Sequence, residues 1–143
     1  MATESLSYGG FHFSTPVATP TTANVPTKVL GTTTTTFVNN FTHSVNNRMS
    51  FNGIIERVFK VSAAISVSAG GATQTKFFIY KNGIKVVASE IDRKISTGGD
   101  IGAMSIGALI NLTENDYVEL WCETDDGDTL TVECGGLVVT VAG

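Results

Sequence analysis

Apolar and polar residues alternate with a period of two along much of this chain. From residue 59 to 69, Phe59, Val61, Ala63, Ile65 and Val67 point one way. Lys60, Ser62, Ser66 and Ser68 point the other, with only Ala64 neutral among them. Successive side chains of a strand leave opposite faces, so the segment predicts a strand with one buried side. Gly70-Gly71 ends it, and Thr75 to Tyr80 (TKFFIY), rich in aromatic and β-branched residues, predicts the next. Lys81-Asn82-Gly83-Ile84 is a tight hairpin turn, because Asn-Gly accepts the positive φ such turns need. A short strand over 85–91, a loop over 96–100 and a strand over 103–112 follow, the last with Met104, Ile106, Ala108, Ile110 and Leu112 on one face.

After a turn at 113–116, Tyr117 to Glu123 carries Val118, Leu120 and Cys122 on one face and Tyr117, Glu119, Trp121 and Glu123 on the other. An acidic loop (TDDGD) covers 124–128. Leu130, Val132 and Cys134 then alternate with Thr131 and Glu133, Gly135-Gly136 marks a kink or bulge, and Leu137 to Val141 closes the chain. The first half alternates less clearly. Three prolines, Pro16, Pro20 and Pro26, interrupt a Thr-rich stretch over 14–36, while 37–45 and 48–51 supply short strands around Asn46-Asn47. No segment holds a helical spacing of apolar residues with a cap. About eight to ten short strands with regular turns predict an all-β, antiparallel jelly-roll sandwich. The expected organisation is an N-terminal arm over 1–16 and a jelly-roll domain over 17–143.

Several motifs resemble the trimeric jelly rolls of the tumour-necrosis-factor and complement-globular-head superfamily, above all its bacteriophage structural versions. Asn47-Arg48-Met49-Ser50-Phe51-Asn52-Gly53, leading into Arg57 to Ala63, is similar to the family's turn before its long core strand. Phe77 to Gly83 resembles a family strand ending in Lys-Asn-Gly. Ile110 to Leu120 resembles the "Leu, turn, Gly-Asp, x-Val-x-Leu" signature, with Asn115 where Gly is usual, and Leu130 to Val141 resembles the closing strand. The match spans about residues 45–143. It implies a homotrimer with apolar and aromatic residues along a threefold axis.

Composition narrows the function. Charged residues are 15% of the chain, against about 25% in an ordinary soluble domain, and hydrophobic residues are 42%. So little charge suggests a surface partly covered by a partner, although Thr, Ser, Asn and Gly also supply polarity. The net charge of −4, with nine scattered basic residues, argues against nucleic acid. No apolar run is long enough to span a membrane. The N-terminus lacks a basic start and apolar block, so synthesis in the host cytoplasm is expected. Cys122 and Cys134 sit at apolar strand positions and read as two small buried thiols; a disulfide between neighbouring strands is the alternative.

Candidate chemistry is sparse. His12 and His43 have no partner at metal-ligand spacing, no Gly-x-Ser-x-Gly elbow occurs, and Asp92, Glu119, Glu123 and Glu133 read as surface carboxylates. Glu123 with Asp125-Asp126-Gly127-Asp128 has hard oxygen ligands suited to Ca²⁺, but the loop is too short for an EF-hand and reads first as a solvated turn. No enzyme activity, cofactor or metal is expected.

The expected function is a capsid decoration or cement protein of a bacteriophage virion. It would act by contacts with itself and with the major capsid protein or other virion proteins. A tail-fibre or receptor-binding head and a secreted complement- or cytokine-like ligand are the alternatives. The expected partner-contact residues are Leu6, Tyr8, Phe11, Phe13, Tyr117 and Trp121. Two roles are open for the first 16 residues: an anchor that orders on a partner, or an edge strand of the chain's own sandwich.

Overall fold

The structure, a computed structural model, describes residues 6–97 and 99–142. Among the described residues, thirteen strands form two antiparallel sheets packed face to face, with a single 3-10 turn between strands. The strands are β1 (Tyr8–Pro16), β2 (Ala18–Thr19), β3 (Thr27–Lys28), β4 (Gly31–Asn39), β5 (Phe41–Val45), β6 (Arg48–Phe51) and β7 (Arg57–Ala69). They continue as β8 (Thr73–Lys81), β9 (Ile84–Lys85), β10 (Ile91–Ile95), β11 (Gly102–Leu112), β12 (Tyr117–Thr124) and β13 (Leu130–Val141). Sheet I has the order β11-β7-β13-β1-β4, with β2 on β13. Sheet II has the order β10-β8-β12-β6-β5, with β3 on β12 and β9 on β8. The all-β jelly-roll expectation is met.

The core lies between the sheets. Phe59, Val61, Ala63, Ile65 and Val67 of β7 face Val118, Leu120 and Cys122 of β12 and Phe77 and Ile79 of β8, all buried. At one end Phe41, Phe51 and Phe59 pack as a triad with ring centroids 5.0–5.2 Å apart. Tilted and edge-on rings at this spacing add favourable quadrupole contacts to simple burial.

Asparagine turns the chain where it reverses sharply. Asn82 and Gly83 both have positive φ, 51° and 80°, as the β8-β9 hairpin requires. Asn115, at the position where the resemblance has glycine, has φ 74°, so asparagine supplies the same left-handed turn. Asn47 is left-handed as well, and it is fully buried. Its Nδ2 donates to the carbonyls of Val29 and Leu120 at 2.9 and 2.7 Å, and its Oδ1 accepts from Leu120 N at 2.9 Å. One amide thereby ties the segment before β4 to the middle of β12, with its polar atoms satisfied.

Three expectations are corrected. Residues 85–91 are not one strand: β9 ends at Lys85, Val87–Ser89 forms the 3-10 turn, and β10 begins at Ile91. The turn is held by Ser89, whose hydroxyl donates to Val86 O and accepts from Ile79 N. The boundary at residue 16 does not separate an arm from a domain, because β1 is an interior strand, paired with β13 on one side and β4 on the other. It is neither a free arm nor an edge strand, and residues 1–5 of the expected arm lie outside the described residues. Cys134 is exposed rather than buried. A bulge at Glu133 puts Val132 opposite Val67 but Cys134 opposite Ser66, so one extra residue turns Cys134 onto the outward face.

Candidate association surface

The outward faces of the two sheets are the places where this chain can meet a partner, and they are built differently. On sheet I the outward rows follow from the register. One row runs Phe37, Gly10, Val138, Ser62, Gly107, and the next runs Asn39, Tyr8, Thr140, Lys60, Leu109. Further along lie His12, Gly136, Ala64 and Ser105, then Cys134, Ser66 and Ala103. Lys60 and Glu133 are the only Lys, Arg, Asp or Glu among these rows and the bulge. Large apolar groups stand in water here: Phe37 is 72% exposed, Leu109 67% and Val138 51%. Isolated apolar residues are ordinary on a surface, but a broad, nearly uncharged sheet face carrying several of them marks an interaction site.

Two hollows open on this face. The larger, about 460 Å³, is lined by Ala64, Ser66, Ala103, Ser105 and Gly135 over a floor of Ile65 and Met104. It exists because the side chains are small. Gly135 (φ 112°) cannot carry one, since an added Cβ would lie 2.1 Å from Ala64 O. The smaller, about 110 Å³, lies between Tyr8, Gly10, Phe37 and Val138.

At the centre of the outward face of sheet II the charged and aromatic groups satisfy one another. Glu119, expected as a surface carboxylate, is instead buried at 2% exposure because it takes Lys28 Nζ at 2.9 Å and Arg48 Nε at 2.7 Å, and its other oxygen accepts from Trp121 Nε1 at 3.0 Å. Burial pushes the Glu119 carboxyl up, but the hydrogen bonds from Lys28, Trp121 and Arg48 together outweigh that and hold it below its ordinary value. Arg48 also lies 4.2 Å over the Tyr117 ring, Lys85 lies 4.3 Å over Phe78, and Trp121 stacks on Tyr80 at 4.0 Å.

The six expected contact residues therefore do not form one site. Tyr8 is on the outward face of sheet I, while Tyr117 and Trp121 are half-buried in the sheet II cluster. Leu6 is exposed beside the β1-β4 edge, its carbonyl accepting from Asn39 Nδ2 at 2.5 Å. Phe11 and Phe13 are corrected: both belong to the chain's own core. Phe37, Leu109 and Val138 escaped the sequence reading. The signal was present in the polar half of the alternation, where β7 and β11 place Ser, Ala and Gly with Lys60 as the single charge.

The remaining candidates have structural partners. His43 bridges to β4, with Nε2 2.8 Å from Thr33 Oγ1 and Nδ1 2.7 Å from Thr35 Oγ1, and its ring stacks on Phe11 at 4.9 Å. His12 lies 3.4 Å from Thr36 Oγ1. Asp125 accepts from Gln74 N and Asp126 from Thr73 Oγ1, so both carboxylates brace the loop. Among the described residues no three His, Cys, Asp or Glu side chains converge on a metal site. Cys122 and Cys134 are both free, and burial pushes the Cys122 thiol up to about 12.

No family model and no curated protein matches the sequence. Solved structures do match the fold. Murine APRIL at pH 5.0 aligns over 95% of this chain and 99% of its own, with a TM-score of 0.64 at 6% identity. Eiger TNF from S. frugiperda aligns over 96% of this chain and 93% of its own, with a TM-score of 0.60 at 14% identity. The fold is the tumour-necrosis-factor-like jelly roll. At such low identity the likeness concerns architecture alone.

Proposed function

We propose that this chain is a non-enzymatic structural protein that associates with copies of itself, as a homotrimer, through the outward face of sheet I. The observation that carries the proposal is the contrast between that face, nearly uncharged and bearing exposed Phe37, Leu109 and Val138, and the self-satisfied face of sheet II. Burying the first face removes apolar area from water and desolvates few charges. The trimer draws further support from the motif resemblance and the shared fold. Light scattering of the pure protein at micromolar concentration should give three times the chain mass; a monomer would overturn the proposal.

The role that fits this association, together with the resemblance to bacteriophage structural proteins, is decoration or cementing of a virion shell against the major capsid protein. Cementing works by buried contact and needs no catalytic group or cofactor. Electron microscopy of purified particles should place the protein on the shell. A tail location would favour a receptor-binding head instead. The likeness in fold to APRIL and Eiger TNF favours a cytokine-like ligand as the second reading. Absence from particles together with specific binding to a cell surface would select it.

A further inference from the structure

Within that self-association, which this inference presupposes, we infer that the contact is head-to-tail. Phe37 of one copy fills the hollow formed by Ala64, Ser66, Ala103 and Ser105 on the next.

The face carries a projection and a cavity at separate places. Phe37 projects from β4, one edge of sheet I, and the hollow lies between β7 and β11 at the other edge. In the register Phe37 is three strands from Ala64, so with strands ~4.8 Å apart the two stand about 15 Å apart and one copy cannot fill its own hollow. The cavity, about 460 Å³, accommodates an aromatic side chain, and its small, uncharged lining offers no group to hold a charged ligand. Phe37 is the most exposed aromatic side chain among the described residues and lies outside its own core. In the three-membered ring already proposed, every contact joins different patches of two neighbouring copies, which a projection at one edge and a hollow at the other supply; a two-fold pair would instead hold both reciprocal contacts within one dimer. Charge permits the approach: the net −4 chain presents one Lys60 and one Glu133 here, so copies do not repel across this face.

The native thiol supplies a reporter. Cys134 is exposed and pairs with Ser66 at the rim of the hollow. Within one copy, position 37 is two strands and four residues from Cys134, roughly 16 Å, well beyond the ~7 Å limit for a disulfide. The test is Phe37→Cys under mild oxidation, in which the two thiols join with transfer of two electrons to the added oxidant. A covalent trimer on a non-reducing gel, abolished by also changing Cys134→Ser, is the expected result. Only covalent dimers, or no cross-link while light scattering still shows an oligomer, would overturn the head-to-tail contact and leave self-association standing. Monomeric unmodified protein would overturn the association itself. As a second variant without cysteine chemistry, Ala64→Trp should fill the hollow and weaken association by tenfold or more while keeping the all-β circular-dichroism spectrum of the parent. Undiminished association of that variant would count against the contact.

Discussion

On the outward face of sheet II, Lys28, Arg48, Lys85 and Glu119 lie against one another or across aromatic rings, and Phe78, although it points outward, is fully buried. On the outward face of sheet I, Phe37, Leu109 and Val138 stand in solvent beside two hollows. Both faces belong to strands with the same period-two alternation and the same shared core. The difference lies in what occupies the outward positions. Long charged side chains reach sideways, cover neighbouring rings and satisfy each other, so the centre of their face is covered within a single copy. Ser, Ala and Gly do not reach, so the face they build stays flat and leaves apolar groups for a partner to cover.

The sharpest way to break this comparison is to place the same charge on each face. Ala64→Glu should lower self-association by about a hundredfold or more, because every copy then buries an unpaired carboxylate. Lys76→Glu, on the outward side of β8, should leave association unchanged by light scattering. Equal effects would show that the faces are not distinct.

Next in size is the core they share. Ile65→Ala on sheet I and Leu120→Ala on sheet II should each cost about 2–5 kcal/mol in chemical denaturation. A loss at only one of them would mean that the sheets do not unfold together.

The self-sufficiency of sheet II is tested at Glu119. Its partners Lys28 and Arg48 are 26% and 34% exposed, so water screens the pairs, and Glu119→Gln should cost about 1–2 kcal/mol. The folded pKa lies below the ordinary 4.5. The carboxylate therefore contributes its stability above that value and loses it as pH falls through the folded pKa, where mutant and parent curves should converge.

The smallest expected effect concerns the seam between the sheets. Burial lowers the pKa of His43 below 6.5, so the folded protein favours the neutral ring. Below 6.5 the unfolded chain binds more protons, and stability should decline slightly as pH drops from there through the folded value. His43→Asn should flatten that decline in acid titrations of the melting temperature; an unaltered slope would assign the decline to other groups.

Much of this was legible along the chain. The buried faces of β7 and β12 follow from alternation, and the β8-β9 reversal follows from Asn82-Gly83, because side-chain direction in a strand and positive φ in a turn are local properties. Partner choice was not legible. Phe11 and Phe13 became core residues because β13 and β4 close on both sides of β1, and those pairings join residues more than 100 positions apart in one case. Asn47, expected in a turn, became a buried tie to Leu120 only when β12 came to lie beside it. Cys134 changed faces because a single bulged residue inverts every later side chain, and the bulge is defined by the neighbouring strand. The sequence by itself determined which residues alternate and where the chain turns. Tertiary pairing decided which of those faces meet, which aromatic residues are enclosed, and which outward face is left uncovered, since sheet register is a contact between distant segments.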